Sequence, residues 1–289
     1  MTVGRPVLRY FGGKWRIAPW IIENFPEHRI YTEPFGGGAS VLMLKPRTYG
    51  EIYNDLDGEV VNVFRVLRDR HRRLRRLLEA TPFARDELEL AQNRRFVKDP
   101  VERARRTIIR SFMGFGADSV TRKWRTGFRS NSSRAGTTPA HDWASWPVHI
   151  EAFHERLRGV VIENRDALEV MLSQDSDETL HYCDPPYVHA TRSDIRTRGL
   201  KTNGHGYRHE MTDQDHLKLI DFLAGLKGMV VLSGYPTPIY DRLGWEYRET
   251  RAMTFHRGNV GSPRTERLWL NPSAVKAMRQ MKLFQEVIP

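Results

Sequence analysis

The chain has 289 residues, enough to bury a large core as one domain or as one domain with an insertion. Its net charge is +11, from 46 lysines and arginines against 35 acidic residues, which indicates a polyanionic partner. The one cysteine, Cys183, excludes an intrachain disulfide, and the lack of a long apolar run predicts a soluble, cytoplasmic protein.

The first part of the chain alternates predicted helices and strands. A helix over 20–25 ends at Pro26, and a strand over 29–35 runs into Gly36-Gly37-Gly38 and the start of another helix. Such a glycine turn brings a nucleotide-like ligand against backbone N–H groups. The next predicted strand, 51–55, ends in Asp55, at the spacing where an acid reaches the ribose hydroxyls of a bound nucleotide. Together the two features predict a nucleotide-type cofactor site.

A long helix is predicted over 56–80, because Val60, Val63, Phe64 and Leu67 recur at helical spacing. Its second half carries the basic run 71–76. A solvated helix face and a DNA contact explain this run equally well, so it stays a second candidate for a DNA surface.

From residue 82 to 147 the alternation stops, and an arginine-rich helical insertion is predicted. Its cations are interleaved with aromatic and amide side chains, which together can contact phosphates, stack on bases and read base edges. A purely structural insertion with a solvated loop is the alternative interpretation. The residues predicted to bind DNA are Arg9, Arg122, Lys123, Trp124, Arg125, Arg129 and Asn131.

Alternation resumes with a strand over 160–164 and with Asp166 as the cap of the helix that follows. A short buried strand over 180–183 then ends in the turn Asp184-Pro-Pro-Tyr187. Neither proline can donate to a sheet ladder, so this stiff turn presents a carboxylate, free carbonyl oxygens and an aromatic face. Asp184 and the Pro185 carbonyl can each accept one hydrogen of an exocyclic amine while Tyr187 stacks on the ring. The turn therefore predicts a site that aims an amine at an electrophile by positioning and fixed dipoles.

The remaining segments predict supporting structure. The long polar segment 188–211 is typical of a lid or of a disordered loop, and its His205 and His209 are interpreted as loop residues, not metal ligands. The elements predicted after it are a helix from Thr212, a buried strand over 227–234, antiparallel strands over 245–256 and 266–271, and a helix over 273–287.

Four motifs in this order resemble those of the DNA adenine methylase family: Tyr10-Phe-Gly-Gly-Lys14, Glu33-Pro-Phe-Gly-Gly-Gly-Ala-Ser40, Asn54-Asp55 and Asp184-Pro-Pro-Tyr187. The resemblance spans nearly the whole chain, and 207–211 and 264–272 resemble phage and prophage members. Members of the family use S-adenosylmethionine to methylate the adenine amino nitrogen. The resemblance implies an enzyme that acts on double-stranded DNA in a bacterial host cell or is encoded by a prophage.

The resemblance also implies roles for individual residues. The turn formed by Asp184, Pro185, Pro186 and Tyr187 would hold the target adenine and carry catalysis. Lys14 would neutralise the methionine carboxylate, Tyr10 would cover the cofactor, and Asp55 would accept hydrogen bonds from the ribose. The residues assigned to S-adenosylmethionine are Tyr10, Gly13, Lys14, Glu33, Phe35, Gly36, Gly38, Asp55, Asp166 and Asp184.

The chain departs from the family pattern at two positions. The family often has tryptophan where Tyr10 stands, and tyrosine should keep the stacking role. The last glycine of the family's Phe-x-Gly-x-Gly motif is Ala39 here. These departures concern cofactor affinity more than the identity of the motif.

The sequence predicts an α/β fold: a Rossmann-like methyltransferase domain, residues 1–81 and 148–289, with a mixed, mainly parallel sheet and a helical target-recognition domain inserted at 82–147. The target adenine would be flipped out of the duplex, because its amino group is otherwise paired. Methylation of cytosine N4 and DNA binding with an inactive cofactor pocket are the alternatives. A nicotinamide dehydrogenase is disfavoured because it does not account for the Asp184 turn or the basic insertion. No metal and no membrane partner are expected, and the chain is expected to act as a monomer or as a dimer on DNA.

Overall fold

A computed structural model of the chain describes residues 2–93, 97–116, 119–120, 125–130, 136–191, 195–197, 200–202, 207–254 and 262–287. The strands are β1 (Ile30–Glu33), β2 (Gly50–Asn54), β3 (Val160–Glu163), β4 (Thr179–Cys183), β5 (Ile195–Thr197), β6 (Leu200–Thr202), β7 (Met229–Gly234), β8 (Glu246–Thr254) and β9 (Ser262–Leu270). The helices are α1 (Ala18–Glu23), α2 (Ser40–Leu44), α3 (Gly58–Asp69), α4 (His71–Glu79), α5 (Arg85–Gln92), α6 (Pro100–Met113), α7 (Pro139–Ala144), α8 (Ile150–Leu157), α9 (Ala167–Gln174), α10 (Asp213–Ala224), α11 (Pro238–Asp241) and α12 (Pro272–Val287).

A seven-stranded mixed sheet in the order β3-β2-β1-β4-β7-β9-β8 organises the described residues. The five neighbouring strands β3, β2, β1, β4 and β7 run parallel to one another. Strand β9 runs antiparallel to β7, and the edge strand β8 runs antiparallel to β9. The predicted α/β fold with a mainly parallel sheet is confirmed, as is the antiparallel pairing near the end of the chain. Strand order reverses between β1 and β4, where ligands bind in folds of this kind.

The central strands are buried on both faces, as parallel strands covered by helices must be. Side chains alternate across the sheet, so Leu180 and Tyr182 of β4 join one buried cluster while Cys183 joins the other. The Cys183 sulfur lies 3.5 Å from that of Met171, inside the second cluster. The central strands are therefore fixed by packing, and their carboxyl ends provide a rigid support.

The helices of the predicted insertion, 82–147, share a buried core with the helices that pack on the sheet. Ile108 and Phe112 of α6 belong to the same buried cluster as Phe64 of α3. Four of its arginines are engaged within the protein: Arg103 with Glu59, Arg105 with Glu87 and Glu102, Arg106 with Glu102, and Arg110 with the Ala91 carbonyl. Three of these arginines join residues within 82–147 to one another, and Arg103 joins α6 to α3.

The single helix predicted over 56–80 is wrong. The chain leaves helical geometry at Arg70, with φ −138° and ψ 25°, which separates α3 from α4. Asp57 caps α3 by accepting from the Glu59 N–H at 3.0 Å. On α4 the basic run is partly paired, Arg73 with Asp99 and Arg75 with Glu79.

Candidate active site

Backbone contacts that require glycine build the turn after β1. Gly36 N–H donates to the Asn54 carbonyl at 2.7 Å, and a methyl group on Gly36 would overlap the Tyr53 ring. Gly37 has φ +47°, and its N–H donates to Asp55 Oδ2 at 2.8 Å. The carboxylate that follows β2 therefore holds the glycine turn that follows β1.

Ala39 stands where the family motif has glycine, and its backbone shows why glycine suits that position. Its φ of +52° lies in the left-handed region, which no other non-glycine residue occupies in the described part of the chain. An L side chain in that region costs roughly 1–2 kcal/mol. The surrounding turn and the buried alanine methyl hold the strained conformation just before α2 begins.

A cavity of about 390 Å³ opens at the carboxyl ends of β1 and β4, where the strand order reverses. Its volume is within the range of small-molecule sites. Every residue assigned to the cofactor from the sequence lines it: Tyr10, Gly13, Lys14, Glu33, Phe35, Gly36, Gly38, Asp55, Asp166 and Asp184. The structure thus brings together residues from four separate motifs.

Acidic side chains in the cavity are held by backbone donors. Glu33 accepts from the Tyr31 hydroxyl at 2.7 Å and from the Leu42 N–H at 2.9 Å, and burial raises the pKa of Glu33 to about 8. Burial likewise raises the pKa of Asp55 to about 6, although the N–H groups of Asp57 and Gly37 oppose the shift. Asp166 caps α9 by accepting from the Leu168 N–H at 2.8 Å, which confirms its predicted capping role. With a pKa of about 8, Glu33 is mostly uncharged at neutral pH, so the lining offers carboxyl oxygens that suit a ligand with several hydroxyl or amine donors.

Asp184 lies at the end of β4 and forms an ion pair with Lys14. The Lys14 Nζ atom is 2.7 Å from each Asp184 carboxylate oxygen and 3.1 Å from the Gly12 carbonyl. Burial raises the pKa of Asp184 to about 6, with Lys14 opposing the shift and Glu266 adding to it. Burial also acts against the charge on Lys14, but Asp184 and Glu266 outweigh it and raise the pKa of Lys14. At neutral pH both partners are therefore charged.

The rest of the turn 184–187 lies around this ion pair. Pro186 lines the cavity, and Pro185 is buried behind it. The ring centroid of Tyr187 lies 4.6 Å from Lys14 Nζ, and the Tyr235 ring packs edge-on against Tyr187 at 4.5 Å. Carboxylate, proline turn and aromatic ring thus stand together at one strand end.

The segment 207–211 lines the cavity. Arg208 donates to Asp57 Oδ1 at 2.8 Å, and the Tyr207 ring packs edge-on against Phe11 at 5.2 Å. These contacts hold the end of the long polar segment 188–211 against Asp57 and Phe11, which also line the cavity. His209 also lines the cavity, whereas His205 lies outside the described residues.

Of the predicted DNA-binding residues, the structure describes Arg9, Arg125 and Arg129. Two of them contact the carboxyl end of α6. Arg9 donates to the Ser111 carbonyl at 3.4 Å, and Arg129 donates to the Phe112 carbonyl at 3.4 Å. Arg125 is exposed. The other predicted residues, Arg122, Lys123, Trp124 and Asn131, lie outside the described residues.

Two residues at the site had no role assigned from the sequence. Arg208 bridges to Asp57, and Glu266 contacts both Tyr187 and Lys14. Arg208 lies in 207–211 and Glu266 in 264–272. The resemblance of these two stretches to phage and prophage members could have indicated that they contribute to the site.

Two features are absent from the described residues. No helix there is both long and apolar enough to cross a membrane. No group of three or more His, Cys, Asp or Glu side chains there is placed to hold a metal ion.

Comparison with known proteins agrees with this geometry. The model of the family described as D12 class N6 adenine-specific DNA methyltransferase matches residues 10–235. A Type II methyltransferase of Lactococcus lactis subsp. cremoris is 26% identical over 254 residues, covering 83% of this chain and 84% of that protein. The family match includes the glycine turn, Asp55 and the Asp184 turn, and it ends before Glu266.

Proposed function

Because the chain belongs to the D12 class N6 adenine-specific DNA methyltransferase family, we propose that it transfers a methyl group from S-adenosylmethionine to N6 of a flipped-out adenine in double-stranded DNA. The observation that carries the proposal is the position of Asp184, whose carboxylate lines the cavity at the end of β4 beside the Tyr187 ring. A carboxylate and a ring at one rigid strand end suit an amine on a planar base.

The donor and acceptor set of the cavity fits S-adenosylmethionine. Asp55 uses one lone pair of each carboxylate oxygen on a backbone N–H, which leaves others for ribose hydroxyls. Asp166 would accept from the cofactor's adenine amine, and Lys14 would neutralise the methionine carboxylate. The buried Glu33 would accept from the ammonium group. Tyr10, whose ring packs over Gly37 and Gly38, would cover the ligand.

The cofactor, when bound, supplies an electrophilic methyl group on a sulfonium. Asp184 accepts one hydrogen of the adenine amine and the Pro185 carbonyl accepts the other, so the nitrogen lone pair is drawn out of conjugation. The amine held in this way would take the methyl group, the cofactor would leave as a neutral thioether, and the proton released from the nitrogen would pass to solvent water. The rate gain comes from positioning and from fixed dipoles.

The rate should depend on pH through Asp184, because the ionised carboxylate accepts from the amine more strongly than the protonated acid, whose O–H is a donor. Its pKa in the ligand-free protein is raised to about 6, so kcat/KM for DNA should fall about tenfold per pH unit below that value and level off above it. Asp55 titrates in the same range, so kcat/KM for DNA is measured at saturating cofactor from pH 5 to 8. A kcat/KM for DNA that is flat down to pH 5 would contradict the role given to Asp184.

We propose that the insertion at 82–147 binds the DNA backbone and reads the target. Replacing Arg122, Lys123, Arg125 and Arg129 with glutamine should then flatten the salt dependence of DNA binding. Each lost phosphate contact should reduce the log–log slope by about 0.9. As the comparison, Arg72 and Arg76 of α4 are replaced with glutamine. A weaker salt dependence of DNA binding in that variant, with no change in the variant of the insertion, would place the DNA surface on α4.

A further inference from the structure

Glu266 lies on β9, between β7 and β8, with its side chain buried. Its Oε1 atom accepts from the Tyr187 hydroxyl at 2.5 Å and from the Ser233 hydroxyl at 2.9 Å. Both donors stand at the carboxyl ends of parallel strands, where the catalytic turn begins. Glu266 therefore reaches the site from the antiparallel edge of the sheet.

The same oxygen also faces the Lys14 cation. Lys14 Nζ is 3.8 Å from Glu266 Oε1 and 2.7 Å from both Asp184 oxygens. Two carboxylates, the buried Glu266 and the partly buried Asp184, thus share one ammonium group. Such a cluster carries excess negative charge, and burial makes that charge costly.

A neutral side chain would serve equally well if packing were all that mattered. Both hydroxyl donors would be satisfied by the amide oxygen of glutamine, without the cost of a buried charge. What glutamine cannot do is compete with Asp184 for Lys14. The charge of Glu266 therefore requires an explanation in terms of the ion pair.

The geometry points to Glu266 as a positioning residue for methyl transfer, which fixes the Tyr187 ring through its hydroxyl and gives the Lys14 cation a second carboxylate partner, so that Lys14 keeps an anionic neighbour when Asp184 takes the target amine. This inference rests on the proposed function. It adds a role that the Asp184 turn does not contain. Without the Glu266 charge, Asp184 would be the one carboxylate that holds Lys14, beside the neutral Gly12 carbonyl, and the amine would compete less well for Asp184.

The titratable groups that surround Asp184 enter the test, because each one can move its titration. They are Lys14, Glu33, Glu266, Tyr182, Cys183, Tyr187 and Tyr235. Since Lys14 opposes protonation of Asp184 and Glu266 favours it, removal of the Glu266 charge should lower the pKa of Asp184.

The variants are chosen to separate charge from hydrogen bonding. Glu266→Gln keeps the acceptor and removes the charge, so kcat above pH 7 should fall roughly tenfold and the acid limb should move down by about one pH unit. Tyr187→Phe removes the hydrogen bond and keeps the charge, so kcat should fall while the limb stays in place. Glu266→Asp keeps the charge on a shorter side chain. The acid limb of its pH profile should therefore lie where the wild-type limb lies, with a kcat below the wild-type value. Glu249→Gln, on the neighbouring strand β8, is the charge-matched control and should change neither quantity.

The experiment measures kcat against pH for these proteins and, in parallel, titrates the Asp184 carboxyl carbon by NMR, which needs no activity. The expected result is a lower pKa for Asp184 in Glu266→Gln by both methods. An unchanged Asp184 pKa in that variant would overturn the inference, even if kcat fell, because the loss would then be structural. A wild-type protein with no activity on any DNA would overturn the proposed function, whereas the NMR titration would still decide whether Glu266 acts on Asp184. If Glu266→Gln does not fold, Glu266→Asp decides: an acid limb displaced from that of the wild type would overturn the inference.

Discussion

Replacement of Asp184 by alanine is expected to abolish methyl transfer, with kcat lower by on the order of a thousandfold, while the protein stays folded. The carboxylate stands at the end of β4 and lines the cavity, so it contributes to the site more than to the core. Lys14 would lose its nearest partner but would remain 3.8 Å from Glu266. The buried cation therefore keeps a carboxylate close by, and the fold should persist.

Asparagine at position 184 should fail almost as completely. Its amide has one acceptor oxygen, and its N–H donors would face the Lys14 ammonium group and the incoming amine. Single-turnover methylation of DNA measures the loss, and circular dichroism checks the fold. Asp221→Ala, at an exposed acid of α10, is the matched control and should keep full activity. Near-normal turnover in a folded Asp184 variant would refute the mechanism.

The second large effect is expected on cofactor binding. Asp55→Ala should weaken the affinity for S-adenosylmethionine by about a hundredfold, because hydrogen bonds to a charged group contribute roughly 1.5–3 kcal/mol each. The variant also frees the Gly37 N–H, which Asp55 now holds at 2.8 Å, so the glycine turn loses its anchor. Both losses concern the cofactor site, so their effect on affinity can be measured without DNA.

Isothermal titration calorimetry measures this affinity directly. The Asp55 variant should stay folded, because burial already disfavours its carboxylate and raises its pKa to about 6, so that its removal relieves part of that cost at neutral pH. Asp69→Ala is the control, since Asp69 is an exposed acid at the end of α3. Equal affinities of the Asp55 variant and the wild type would show that Asp55 does not contact the cofactor.

The edge of the sheet that carries the site could be predicted from local patterns. Buried runs that end in Glu33, Asp55 or Asp184 place acids at the carboxyl ends of strands, and parallel strands bring those ends to one edge. The helix starts at Asp166 and Thr212 followed from capping chemistry, and both caps are present. These features depend on neighbours in the sequence.

Long-range contacts could not be predicted in the same way. Glu266 meets Tyr187 across 79 residues, and Arg208 meets Asp57 across 151. Which residue of β9 faces the site depends on its register against β7, and a shift by one residue would turn Glu266 to the other face of the sheet. Arginines of the insertion posed a related difficulty, because composition alone does not separate Arg105, paired with Glu87 and Glu102, from a cation that contacts DNA.

Identification of the methylated base tests the central claim most directly. The protein is incubated with S-adenosylmethionine and unmethylated DNA of varied sequence, the DNA is digested to nucleosides, and the product is identified by mass spectrometry, with Asp184→Ala as the matched blank. We expect N6-methyladenine, formed by the wild type and not by the variant, because an ionised carboxylate at the start of the turn holds an amine firmly. A digest that contains only N4-methylcytosine, or no methylated base at all, would contradict the assignment.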